Sequence, residues 1–190
     1  MKKEIKTLAF VMLLVIIATG CKKNESKNIV GNWRIDSYSE MWEGGSDLIP
    51  GLTGKEWYFS HDGKLTGFFE GWIYEQYLFA KYGFDYVEEH EEDFEQQIAN
   101  GGTLKTNYTY SNGVLSIEGG DLIAKYVVYD QKNTSEYVTK TVTFTYTLDV
   151  EHINDNSLIM TGDFVMSERY SNSPDEDIET ESVKIILTKN

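Results

Sequence analysis

Four groups of side chains in this 190-residue chain have the types and spacing to do chemistry. The first is a thiol. Cys21 is the single cysteine, and the small residues Ala18, Thr19 and Gly20 precede it. One cysteine excludes an internal disulfide, and a lipid on Cys21 would leave no cysteine nucleophile. The second group is three scattered histidines, His61, His90 and His152. Only His61-Asp62 resembles an orienting pair, and the Asp62-Gly63 turn accounts for that aspartate better. With no G-x-S-x-G present, no catalytic residue and no enzyme activity are expected. The third group is carboxylates: Glu91 and Asp93 beside His90, and Asp175, Glu176, Asp177 and Glu179. Neither run has the spacing of a calcium loop with its central glycine, so both read as solvated surface, with no metal and no cofactor. The fourth group is aromatic: Trp72, Tyr74, Tyr77, Phe79, Tyr82, Phe84 and Tyr86 crowd into 15 residues. Concave apolar pockets have such walls, and tyrosine adds a polar handle.

The elements that must carry these groups begin with a leader. Lys2, Lys3 and Lys6 precede an apolar run from Leu8 to Ala18, 11 residues long. At about 1.5 Å per residue that run covers about 17 Å of a hydrocarbon core about 30 Å thick, which suits a secretory signal rather than a membrane span. Residues 1–20 are therefore expected to be a signal peptide, 21–28 a polar tether, and 29–190 one folded domain. The chain has a net charge of −14, and loss of residues 1–20 makes the rest −16. Binding to nucleic acid needs clustered cations to meet phosphates, so it is excluded as a function class.

The domain reads as hairpins. Ile29–Tyr38 starts a strand; 44–54, with Pro50 and four glycines, is expected to be a loop; Lys55–Ser60 and Lys64–Gly71 flank the Asp62-Gly63 turn. Thr103–Tyr110 and Val114–Glu118 flank Asn112-Gly113, and Leu122–Asp130 follows. Val142, Phe144, Tyr146, Leu148 and Val150 then alternate with threonines as the side chains of a strand with one dry face do. Leu158–Arg169 and Ser182–Lys189 close the series around a predicted acidic loop at 171–181. Only 72–100 breaks the pattern, with helical spacing of Tyr74, Tyr77, Leu78 and Tyr82 and again of Val87, Phe94 and Ile98, which predicts two short helices. Eight to ten antiparallel strands with short turns favour an all-β, up-and-down barrel with a short helical insertion, since closure removes the edges; a β-sandwich is the alternative.

Two resemblances refine this. Ala18-Thr19-Gly20-Cys21 after an apolar run resembles a bacterial lipobox. It implies cleavage before Cys21, a diacylglycerol thioether and an acylated (palmitate-type) amine, two or three chains being needed for stable anchoring. Lys22 follows in place of the aspartate that would resemble an inner-membrane retention signal, so an outer-membrane site in the cell envelope is implied. Gly31-Asn32-Trp33 near the start of the domain resembles the G-x-W of the first lipocalin strand, where the Trp closes the barrel base and an arginine packs on it; Arg169 is the candidate. On that lipocalin-like frame the 72–100 helices would cap a barrel mouth. Trp72, Tyr74, Tyr77, Phe79 and Tyr82 would then cover a cavity lined by Phe68, Tyr108, Phe144 and Tyr146, for a small apolar or amphipathic ligand. The helices serving only as extra core is the competing expectation. A second hypothesis is an interaction module that docks a partner through Glu88, Glu89, Glu91 and Glu92 and the 171–181 segment.

Overall fold

The computed structural model describes residues 29–129 and 135–190; the leader, Cys21 and the tether lie outside the described residues. Ten strands and three helices follow in order: β1 (Gly31–Trp42), β2 (Gly45–Leu48), β3 (Glu56–Phe59), β4 (Lys64–Phe69), α1 (Gly71–Tyr82), α2 (Phe84–Glu89), α3 (Glu91–Asn100), β5 (Gly102–Ser111), β6 (Val114–Glu118), β7 (Leu122–Tyr129), β8 (Ser135–Ile153), β9 (Ser157–Tyr170) and β10 (Glu176–Lys189). Eight of the strands close a ring in the order β1-β3-β4-β5-β6-β8-β9-β10, and β10 pairs back on β1 from Trp33↔Lys189 to Met41↔Ser182. That last pairing makes the fold a barrel rather than a sandwich. β2 and β7 stand outside the ring, on the edges of β1 and β8 past the points where β3 and β6 stop.

The sequence explains the closure. In β8, Val142, Phe144, Tyr146 and Leu148 face inward and are buried, while the alternating threonines face out. Register shifts between Ile35 and Ser37 and between Val150 and His152 bend two long strands, as bulges do. Asn112 and Gly113 both have positive φ, 54° and 80°, giving the tight β5–β6 hairpin its twist.

Three expectations are corrected. Segment 44–54 contains β2 and a 3-10 turn at Pro50–Leu52 rather than loop alone. Most of the acidic segment 171–181 is strand, because Glu176–Glu181 continues the main-chain ladder with β9. The insertion holds three helices rather than two, the last two meeting at His90. The first strand also runs on to Trp42.

The registers define two ends. The 60–63, 112–113 and 154–156 turns share the base with residues 29–31 and 189–190. There the Trp33 indole N–H donates to the Ile29 carbonyl at 2.7 Å, and Lys189 lies over the ring, 5.2 Å from its centroid. The cation on the Trp is thus a lysine; Arg169 pairs near the other end. That other end, the mouth, carries the helices and the free tops of β1–β2, β7–β8 and β9–β10. Between the ends the barrel is filled by Ile35, Trp57, Phe59, Phe69, Leu115, Ile117, Phe144, Tyr146, Met160, Phe164 and Ile185, all essentially inaccessible.

Candidate functional site

The helical insertion is clamped to the mouth where glycine allows close approach. A Cβ on Gly71, the first residue of α1, would lie 2.1 Å from the Ile98 carbonyl oxygen near the end of α3. A Cβ on Gly102, the first residue of β5, would lie 2.2–2.4 Å from three carbons of the Tyr74 ring. Tyr74 in turn stacks on Tyr77 at 5.5 Å. Leu78, Val87 and Phe94 form a small second core, with Phe79 and Ile98 against it. The helices also pack on β7.

This arrangement leaves an open cavity of about 300 Å³ between the helices, lined by Phe79, Val87 and Ile98 and by the carboxylates Glu75, Glu88 and Glu91. Partial burial raises the Glu75 pKa, against the opposing pull of Lys140 on β8. A second open cavity, about 360 Å³, lies against the tops of β9 and β10 and is lined by Met166, Glu168, Asp177, Ile178 and Glu179. A third, about 140 Å³, lies between the 3-10 turn and α1, with Leu52, Glu70 and Trp72 in its wall.

The nine aromatics expected at a ligand site separate into different places. Phe144 and Tyr146 point into the barrel but are 2% and 1% exposed, packed on Phe69 and Phe164. Tyr108 is buried near the base and donates its hydroxyl to the Ser60 carbonyl at 2.6 Å. Phe68 turns to the outer face, where Lys55 sits 4.4 Å from its ring centroid, because Leu65, Gly67 and Phe69 take the inward positions of β4. Trp72 packs edge-on against Phe164 and donates to Glu70 at 2.9 Å. Tyr74 and Tyr77 hold the insertion down, Tyr82 is exposed beside Tyr86 and Phe94, and Phe79 alone of the nine lines the helical cavity. Sequence reasoning missed Glu75, Val87 and Ile98 as lining; the stripe of Val87, Phe94 and Ile98 was the signal for the last two.

A polar layer caps the packed interior. The Tyr38 and Tyr146 hydroxyls meet at 3.4 Å. Burial first pushes both phenol pKa values up; the Tyr146 hydroxyl and then Glu70 add to the rise at Tyr38, while at Tyr146 Glu70 adds to it and the hydrogen bond with Tyr38 opposes it. Just above, burial and the neighbouring Glu40 and Glu181 raise the Glu70 carboxyl. Burial also raises Glu181, helped by Glu40 and Glu179.

The histidines stay apart. His61 is in the β3–β4 turn, where Asp62 accepts from the Ser60 hydroxyl; His90 stacks on Tyr86; His152 contacts Asn154 near the base. Among the described residues no three His, Cys, Asp or Glu side chains group to hold a metal ion, and no helix is long and apolar enough to cross a membrane. No protein-family model matches the chain, no curated protein matches it, and no solved structure matches it, so what is established is a closed eight-stranded antiparallel β-barrel bearing a helical insertion at its mouth.

Proposed function

We propose that this chain is a lipid-anchored protein of the bacterial outer membrane whose barrel is a packed, non-enzymatic stem and whose helical mouth binds a small amphipathic ligand. The cavity of about 300 Å³ between the helices carries this reading. Its volume is at the lower end of small-molecule pockets, about 300–1,000 Å³. Phe79, Val87 and Ile98 offer an apolar floor, and Glu75, Glu88 and Glu91 favour a ligand with a cationic end. The filled barrel moves the ligand from the interior to the insertion. Kinship with lipocalins rests on Gly31, Trp33 and the closed eight-strand ring, with Lys189 where an arginine is usual. Anchoring rests on the Ala18–Cys21 sequence.

Calorimetric titration with primary alkylamines and arylalkylamines, against carboxylic acids of matched length, tests the site. Amines should bind, and Glu75→Gln with Glu88→Gln should weaken them. Equal binding of the acids, or no response to the two substitutions, would refute it. Metabolic labelling with a palmitate analogue should mark the wild-type chain but not Cys21→Ser.

A further inference from the structure

Beyond that pocket, the inner surface of the barrel changes character along three neighbouring strands as they rise out of the ring. On β10 the inward series runs Leu187, Ile185, Val183 and then Glu181, Glu179, Asp177. On β9 it runs Met160, Phe164, Met166 and then Glu168, and on β1 Trp33, Ile35, Tyr38 and then Glu40. The cross-strand pairs Phe164↔Glu181, Met166↔Glu179 and Glu168↔Asp177 put these residues on one face. The helices pack on β7, and the cavity of about 360 Å³ opens along the tops of β9 and β10. At the tips of β1 and β10, Trp42 (51%) and Ile178 (64%) are exposed, and Ile178 is in the cavity wall.

We infer that this acidic, apolar-edged wall docks an extended basic segment of a partner protein, with lysine or arginine at every second residue. Spacing carries the argument. Asp177, Glu179 and Glu181 occupy alternate positions of one strand, so their side chains recur about every 6.6 Å. An added extended segment with alternating cations has the same repeat, and its intervening apolar side chains meet the tip residues. The protein already seats one cation on this face: Lys140 of β8 reaches Glu168 at 2.7 Å, with the Tyr170 ring 5.9 Å away. Among the described residues the ion pairs are Arg34–Asp36, Lys140–Glu168 and Lys184–Glu151, which leave Glu40, Asp177, Glu179 and Glu181 without a cation. Burial first, then crowding by Glu40 and Glu179, raises the Glu181 carboxyl, and an incoming cation relieves the crowding. A small amine neutralises one carboxylate and an anionic polymer is repelled, whereas a basic strand meets the whole column.

The test uses the full-length chain in detergent and a fluorescent, end-blocked octapeptide alternating lysine and leucine. Anisotropy should report saturable, salt-sensitive binding. An isomer with its lysines in one block should bind more weakly, and a glutamate–leucine peptide should not bind. Glu179→Gln/Glu181→Gln should weaken the affinity by about three- to tenfold, while Glu89→Gln/Glu92→Gln, an equal change of charge on the exposed helix surface, should change it by less than about twofold. Circular dichroism checks that both variants keep the fold. Equal losses in the two variants, equal affinity for the blocked isomer, or no binding would overturn the inference. None of these outcomes depends on the helical cavity, because neither variant touches its lining.

Discussion

The attachment of the insertion can be tested at one hydrogen atom. In Gly102→Ala the new methyl would stand 2.2–2.4 Å from three carbons of the Tyr74 ring. Ordinary carbon–carbon contact is about 3.5–4.0 Å, so the ring must retreat by more than about 1 Å. It cannot slide alone, because Tyr77 stacks on it, and α1 must move with it. Overpacking of this kind costs about 1–3 kcal/mol. For a domain of this size that lowers Tm by about 2–12 °C, at about 2–4 °C per kcal/mol. The strain falls on the insertion, so native-state hydrogen exchange should rise first in residues 71–100, with ring strands such as β9 and β10 protected. A double-mutant cycle isolates the cause. Tyr74→Ala empties the space over residue 102, and in that background Gly102→Ala should cost less than about 0.5 kcal/mol. An unchanged penalty would refute the reasoning and place the strain in the β5 backbone.

Three further outcomes follow from the same packing. The Thr106 hydroxyl is buried without a hydrogen-bond partner, so Thr106→Val, which keeps the shape, should stabilise the fold by about 1 kcal/mol in urea titration. Tyr108→Phe should cost about 1 kcal/mol, because the Ser60 carbonyl loses its donor. Glu70, Glu75 and Glu181 all have carboxyl pKa values raised from 4.5, largely by burial. A raised folded value means the folded state holds protons more tightly, so this contribution is complete below pH 4.5 and lost as pH rises through the folded values. Differential scanning calorimetry should give a lower Tm at pH 8 than at pH 5. Glu70→Gln, which can still accept from Trp72, should raise Tm at pH 8 and flatten the profile; a variant as pH-sensitive as wild type would refute the assignment to Glu70.

How much of this was legible depended on which interaction governed each segment. β8 could be read because its alternation of apolar residues and threonines directly records one dry and one wet face. Glu176–Glu181 read as loop because acidic side chains signal solvent, yet strand pairing is made by main-chain groups, which a column of glutamates does not disturb as long as it faces an open mouth. The break at His90 falls within a run of glutamates, where no apolar side chain records a change of helix axis. The site suffered from a deeper ambiguity. Phe144, Tyr146 and Phe79 have the same chemistry, and whether such a ring lines a void or fills one depends on the summed volumes of eight strands. The pairing of β1 with β10, about 150 residues apart, could be expected as closure but not registered residue by residue.

That pairing also dictates timing. Because the first ring strand completes its ladder only against the last, no partial chain emerging from a ribosome can shut the cylinder. Until β10 arrives, β1 and β9 each expose a row of unsatisfied amides and carbonyls beside freshly uncovered aromatics, the conditions under which nascent chains adhere to one another. Contacts of such long range also make acquisition of the native state slow. Keeping the chain apart from its neighbours until its final strand has been synthesised therefore protects these open edges.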